Sequence, residues 1–193
     1  MDVAEIHMLP RAAAIDTALI TEVSDLVNLV YATAEAGLWN GGADRTTPAE
    51  VARLVAAAEI AVARAAGEIV GCVRVRQVGP DVGEFGLLAA APRLQGAGVG
   101  RGLVRFAEEH CRLLGRHRIQ LKLLVPHGRA RFPADWFGRL GYRVEKTASV
   151  EDTFPHLVPR LAVPCEFHLY RKNSIERNSW FQLSLAEQGI HFA

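Results

Sequence analysis

Hydrophobic and polar positions along the chain divide it into alternating strand-like and helix-like blocks. Residues 5–9 form a short extended run stopped by Pro10. Over residues 15–35, apolar side chains recur at Ile15, Leu19, Val23, Leu26, Val27 and Val30, with Asp16, Glu22 and Asp25 between them. That period predicts an amphipathic helix, ended by Gly37. Thr47, Pro48 and Glu50 have the spacing of a helix cap, a proline at the first helical position and an acidic third residue, so a short helix should run to residue 58. Strands follow at 60–65 and 68–77, joined as a hairpin at Ala66-Gly67, although these are not ideal residues for a two-residue turn. A further strand is expected at 84–90, and an amphipathic helix at 99–114 with Val99, Leu103, Phe106, Ala107 and Leu114 on or near one side. Residues 119–125 are apolar apart from Gln120 and Lys122, which predicts a central strand covered on both faces. A short helix at 134–140, a strand at 142–150, a helical turn at 154–161 and a last strand at 165–171 complete the pattern.

This order is that of a mixed α/β domain over residues 1–173, with an early hairpin and a late strand-helix-strand unit. Residues 174–193 form a C-terminal extension without strong period, which docks through Trp180 and Phe181 or is mobile. The same two aromatics would anchor a homodimer.

Composition narrows the class. Half of the 193 residues are apolar, and 22 Lys plus Arg against 21 Asp plus Glu give a formal charge of +1. Such a balance gives no bias toward nucleic acid. Cys72, Cys111 and Cys165 are odd in number and widely spaced, which suits reduced thiols in a cytoplasmic protein better than disulfides or a metal site. The start Met1-Asp2-Val3-Ala4-Glu5 has neither the basic nor the apolar region of an export signal, and no apolar run approaches bilayer length. No metal constellation and no membrane partner are therefore expected. Between residues 110 and 134, Arg112, Arg116, Arg118, Lys122, Arg129 and Arg131 occur without one acidic side chain. The patch is read either as an attractor for phosphates or an acidic substrate, or as a solvated face. It lacks the interleaved aromatics of an RNA-binding surface.

The strongest motif lies between a predicted strand and a predicted helix, as Leu94-Gln95-Gly96-Ala97-Gly98-Val99-Gly100-Arg101. Glycines at such a turn let the backbone approach a ligand closely, and free N–H groups of a first helical turn favour anionic oxygens. The motif reads as a phosphate cradle. Its glycine spacing is not that of a dinucleotide fold, and residues 116–131 lack the acidic residue such a fold requires. No Gly-Lys-Ser/Thr sequence follows to make a nucleoside-triphosphate loop.

The run Gln95-Gly96-Ala97-Gly98-Val99-Gly100, preceded by Leu88-Ala89-Ala90-Ala91-Pro92, resembles the signature of the GCN5-related N-acetyltransferase (GNAT) superfamily. A second marker is Trp136-Phe137-Gly138-Arg139-Leu140-Gly141-Tyr142, an aromatic pair before Leu-Gly-aromatic, and residues 67–71 add Gly-Glu-Ile-Val-Gly. The resemblance covers most of residues 5–172. It implies a GNAT-like fold, with a central twisted, mostly antiparallel sheet of six or seven strands, splayed in the middle and flanked by helices. It also implies acetyl-CoA as co-substrate, in that split. Leu88, Ala89 and Ala90 would pair with the pantetheine arm, and the N–H groups of Gly96, Gly98, Val99 and Gly100 would hold the pyrophosphate. Gln95 would frame the loop, Ala97 belongs to it, and Arg93 and Arg101 would stand beside it as phosphate cations or as merely solvated side chains.

The implied reaction is acetyl transfer to a primary amine of a small molecule or peptide. A lysine-like amine has a pKa near 10.4, so about one in a thousand is neutral near pH 7.4, and binding only that fraction costs about 4 kcal/mol. A general base relieves the cost. Glu84 is the expected base, since certain relatives carry a catalytic glutamate at this strand position, and its apolar surroundings suggest a raised pKa. The alternative is an exposed carboxylate at the start of a strand. Many relatives place a general-acid tyrosine four residues before the glycine of Leu-Gly-aromatic. Here that residue is Phe137, which has no proton to give. Tyr142, His127 or a water would substitute, or the thiolate leaves unassisted, its thiol pKa being near 8.5. Trp39 and Asn40, in the loop at 38–45, with Glu84 and His127 are the candidate substrate contacts, Trp39 being read as part of a lid or as a packing plug. The loss of the tyrosine also leaves open a non-catalytic acyl-CoA-binding or interaction domain, or an atypical CoA-dependent acyltransferase.

Overall fold

A computed structural model describes residues 4–41, 44–127 and 134–173. The extended run near the amino terminus is β1 (Glu5–Met8), which pairs antiparallel with β2 (Ile60–Ala65). β2 continues into β3 (Glu68–Gln77), and β3 into β4 (Val82–Ala90), each antiparallel to the last. β4 then pairs in parallel with β5 (Arg118–Pro126), while β7 (Cys165–Asn173) lies antiparallel between β5 and β6 (Arg143–Ser149). The result is one 7-stranded sheet in the order β1-β2-β3-β4-β5-β7-β6. Its single parallel pair needs a crossover, which α3 (Val99–Leu113) provides.

Among the described residues five α-helices accompany the sheet: α1 (Thr17–Ala34), α2 (Pro48–Ala56), α3, α4 (Ala134–Arg139) and α5 (Val150–Thr153). Alternation along the strands sends Val62, Cys72 and Ala89 into one core with α1 and α2, and Val73, Val75 and Phe85 into another with α3 and Phe137 of α4. The α2 cap is as the sequence predicts, Thr47 Oγ1 accepting from the Glu50 N–H at 3.1 Å. The first helix starts later than its apolar period suggests. Residues Arg11–Ile15 form a 3-10 turn, Asp16 caps α1 by accepting from the Leu19 N–H at 3.1 Å, and Ile15 is 90% exposed.

The hairpin turn has positive φ at both central residues, +50° at Ala66 and +84° at Gly67. This is the turn whose twist matches its flanking strands, and the pairing of β2 with β3 holds Ala66 in a conformation alanine disfavours. Helix α3 lies unusually close to the sheet at two glycines. A Cβ on Gly71 would meet Leu103 Cδ1 and Val99 Cγ1 at 2.9 Å, and one on Gly83 would meet Cys111 Sγ at 2.3 Å. The first contact fixes the N-terminus of α3 beside the end of β4, where Gly71 pairs with Ala90, and the second its last turn beside the start of β4. Cys72, Cys111 and Cys165 are buried. Among the described residues no helix is long and apolar enough to cross a membrane, and no group of three or more His, Cys, Asp or Glu could hold a metal ion. Trp180, Phe181, Arg129 and Arg131 lie outside the described residues.

Candidate active site

The site begins where two strands part. β4 and β5 are paired only at Val82–Arg118, Gly83–Ile119 and Glu84–Gln120. Beyond that pair β4 continues to Ala90 on β3, and β5 continues to Pro126 on β7, without touching each other's ladder. A wedge opens, with the Glu84–Gln120 pair at its apex and one unpaired backbone edge of β4 along its wall. This separation also explains why β5 is covered less than its apolar sequence predicts: its first half is buried, but Leu123 to Pro126 are only partly so.

At the far end of β4 the chain turns through Pro92–Leu94 into the glycine motif. Gly96 and Gly98 have φ of +84° and +86°, and Gly98 is the N-cap of α3. A Cβ at either would meet no protein atom within 4 Å, so the positive φ, not crowding, calls for glycine there. The Gln95 and Ala97 N–H groups bond back to Pro92 and Leu94 carbonyls at 3.0 Å. Those of Gly96, Gly98, Val99 and Gly100 reach no turn or cap carbonyl among the described residues. Gln95, Gly96, Ala97, Gly98 and Arg101 are exposed. The cradle is therefore open, at the positive end of a 15-residue helix. Arg93, beside it, bonds Glu68 at 2.6 Å, with both side chains exposed.

Midway along β4 is a bulge. The register jumps between Cys72–Ala89 and Arg74–Gly86, and Leu87 takes φ +45°, a strained value for a buried leucine. The Leu88 N–H lies against the hydroxyl of Tyr31, from α1. Burial pushes the Tyr31 pKa up to about 12, against the opposing pull of Arg45 and the Leu88 N–H, so the hydroxyl keeps its proton at neutral pH. Arg45 sits over the Tyr31 ring, 5.2 Å from its centre. Sequence alone does not single out Tyr31, which reads as one more residue on an amphipathic helix.

Between the bulge and the apex lies a cleft of about 170 Å³ lined by Arg45, Arg74, Arg76, Glu84 and Lys122, with Phe85, Gly86 and Leu87. Glu84 is its carboxylate, 7% exposed. Its Oε1 accepts from Arg76 Nη2 at 2.5 Å and Nε at 3.0 Å; its Oε2 accepts from Gln120 Nε2 at 2.8 Å and pairs with Lys122 Nζ at 3.1 Å. Four donors occupy about the four lone-pair sites a carboxylate has. Burial alone would raise its pKa, but hydrogen bonds from Gln120, Arg76 and Lys122, with the Lys122 charge, outweigh it and hold the carboxyl below its usual value. The raised pKa expected from an apolar strand is thus corrected: the strand is apolar, but its neighbours β3 and β5 present cations. Arg171 extends the network by donating to Gln120 Oε1 at 3.1 Å and pairing with Glu145.

The other residues singled out from the sequence are placed elsewhere. Tyr142 is 2% exposed; its hydroxyl donates to Glu108 Oε1 at 2.8 Å, and burial with the Glu108 charge drives its pKa far up. Its ring meets those of Phe85 and Phe137, so Phe137 fills an aromatic core and does not face the cationic cleft. His127 lies just past the end of β5, 3.7 Å from Glu166 and more than half exposed. Six residue steps along β5 run from Gln120 to Pro126, roughly 20 Å of extended chain, so His127 and Glu84 do not share a site. Trp39 is tied down rather than loose: its Nε1 donates to Glu35 at 2.6 Å and its backbone bridges Leu161. Asn40 Nδ2 donates to the Leu161 carbonyl at 3.0 Å. Trp39 forms one wall of a second cleft with Asn28, Tyr31, Glu35, Asp44 and Arg45. Arg45 lines both clefts.

A sequence model of the acetyltransferase (GNAT) family matches residues 32–140, more than half of the chain. The chain belongs to that family and is an acyltransferase. No match was found among curated proteins. Many solved structures share the fold. The PaiA N-acetyltransferase of Thermoplasma acidophilum, in complex with coenzyme A, is 12% identical over 89% of this chain and 99% of its own, with a TM-score of 0.67. An aminoglycoside 6'-N-acetyltransferase complexed with coenzyme A is 18% identical over 90% and 98%, with a TM-score of 0.65. N-acetylglutamate synthase from Neisseria gonorrhoeae, complexed with coenzyme A and N-acetyl-glutamate, is 16% identical with a TM-score of 0.62; the match covers 91% of this chain but only 36% of that one. At such identities the likeness is one of fold.

Proposed function

We propose that the chain transfers the acetyl group of acetyl-CoA to a primary amine of a small molecule or peptide, by direct attack of the amine on the thioester. The observation that carries this is the unpaired edge of β4, which leads from the open glycine cradle past the bulge to a polar cleft. The N–H groups of Gly96, Gly98, Val99 and Gly100 would hold the pyrophosphate, and Leu88 to Ala90 would pair with the pantetheine arm. The room in front of Gly96 and Gly98 suits such a ligand. The coenzyme-A-bound neighbours support the same donor.

In this reaction a C–N bond forms, the C–S bond breaks, the amine gives up a proton and the thiolate gains one. Glu84 is poorly suited to take the first proton, since its lone pairs are engaged and its pKa is lowered. We assign it a positioning role, holding Arg76 and Lys122 at the apex of the wedge. Arg45, Arg74, Arg76 and Lys122 would disfavour a bound ammonium, whose extra proton passes to water before attack, and favour the neutral, nucleophilic amine; the proton that nitrogen loses as the C–N bond forms also passes to water. Tyr31, protonated beside the Leu88 N–H, is the candidate donor to the thiolate in place of the missing tyrosine at 137.

Calorimetry with acetyl-CoA and an amine screen following free thiol test this reading. Binding together with amine-dependent thiol release is expected. Binding with no amine-dependent release would overturn it.

A further inference from the structure

We propose that the acceptor is a small amine that also carries a carboxylate, bound with that carboxylate against Arg45 in the cleft formed with Arg74, Arg76 and Lys122. The proposal rests on the acetyl-transfer reading above and names its substrate class.

Charge bookkeeping around the cleft supplies the argument. Four cationic side chains line it against one carboxylate, Glu84. Glu84 satisfies Arg76 and Lys122. Arg74 is matched from outside the lining by Glu59, whose Oε2 lies 2.6 Å from Arg74 Nη2. Arg45 is the cation left underpaired. Among the described residues its nearest carboxylate is Glu35, at 4.0 Å and beyond hydrogen-bond reach, and the other oxygen of Glu35 is taken by Trp39 Nε1. The Arg45 side chain is 40% exposed and the residue lines both clefts, so it is open to a ligand.

A guanidinium fork of this kind matches a carboxylate, and a cleft whose lining is net positive concentrates anionic ligands. At about 170 Å³ the cleft is small beside pockets of ~300–1,000 Å³ that enclose drug-sized ligands. A compact polar acceptor fits that space. The same cations repel a polyamine, and they act on an amino carboxylate in two useful ways, attracting its carboxylate and discouraging its ammonium form. Position supports the same assignment: the lining runs along β4 from Glu84 to Leu87, next to Leu88, where the arm bearing the thioester would end.

The test uses acetyl-CoA with three sets of amines on matched skeletons: amino carboxylates, their neutral carboxamides and the corresponding simple amines, with aminoalkylphosphonates as a further arm. Wild type and the Arg45→Gln and Arg45→Glu variants are compared, with acetyl-CoA calorimetry and thermal melting as checks of folding. The expected result is a kcat/KM at least tenfold higher for carboxylates than for carboxamides. That ratio should weaken as salt is raised, fall toward one in Arg45→Gln and invert in Arg45→Glu. Equal or better turnover of carboxamides, simple amines or phosphonates would overturn the proposal while leaving acetyl transfer intact. So would an equal loss for all amines in a folded Arg45→Gln. If no amine of any class is acetylated, the acetyl-transfer reading itself fails, and this proposal with it.

Discussion

Glu84 and Gln120 are the last partners of the parallel ladder between β4 and β5, and the Gln120 amide donates to the Glu84 carboxylate at 2.8 Å where the two strands part. A buried carboxylate with four donors thus closes the apex of the wedge. Its engagement with Arg76 and Lys122 explains how a sheet can split there without leaving charges unpaired.

Replacing Glu84 by Gln removes the charge that organises those donors. Hydrogen bonds to a charged group are worth about 1.5–3 kcal/mol, so a loss of about 2 kcal/mol and a Tm lower by roughly 4–8 °C are expected. The native carboxyl titrates below its unfolded value of 4.5. Its stabilisation is therefore present in full above that value and is lost as pH falls through the folded pKa. Melting curves of both proteins should differ most near neutrality and converge at acid pH. A gap that persists unchanged at acid pH would show that the charge is not what stabilises the apex.

Gly83 and Cys111 set how closely α3 approaches the sheet. Gly83→Ala places a methyl 2.3 Å from Cys111 Sγ, and overpacking of this kind costs about 1–3 kcal/mol. Adding Cys111→Ala leaves a nearest contact of 3.1 Å, to Cβ, and should recover most of the loss. Denaturant unfolding of the single and double variants measures the coupling; additive effects would mean that the contact is not the cause.

Gly98→Ala isolates backbone conformation, since its methyl meets no protein atom but must sit at φ +86°. A left-handed alanine costs about 1–2 kcal/mol. A shift of the loop that relieves the strain would misdirect the N–H groups of the cradle, weakening acetyl-CoA by about tenfold, or ~1.4 kcal/mol. Calorimetry checks this, with Gly100→Ala, whose Cβ would have only an ordinary 3.8 Å contact with Trp136, as the milder comparison.

What the sequence makes legible follows from what is local. Periodicity locates the strands and helices, Thr47-Pro48 announces its own helix start, and the glycine motif carries its conformation in its composition. The electrostatics of Glu84 are not local: Arg76, Gln120 and Lys122 come from β3 and β5, and only the folded sheet brings them to one carboxylate. Tyr31 and Arg45 escape notice for the same reason. The tyrosine lies on an ordinary amphipathic helix and the arginine in a loop, and their meeting beside the bulge depends on α1 crossing β4. His127 and Tyr142, conspicuous in the sequence, fold away from the cleft.

Tyr31→Phe tests the protonation step. Acid catalysis contributes about 10²–10⁴-fold, so kcat should fall by about 100-fold at neutral pH while acetyl-CoA binding is unchanged. With its pKa pushed up to about 12, the wild-type hydroxyl stays protonated across the working range, and no loss of activity from its ionisation is expected below pH 10 or so. An unchanged kcat in Tyr31→Phe would remove it from the mechanism.

The most direct test of the central claim is the stoichiometry of acetyl transfer. The purified protein is incubated with millimolar acetyl-CoA and a varied primary amine, following free thiol and N-acetylated amine together. The expected result is amine-dependent release of one thiol for each acetylated amine formed. Thiol release that ignores the amine, or no binding of acetyl-CoA at millimolar concentration, would contradict it.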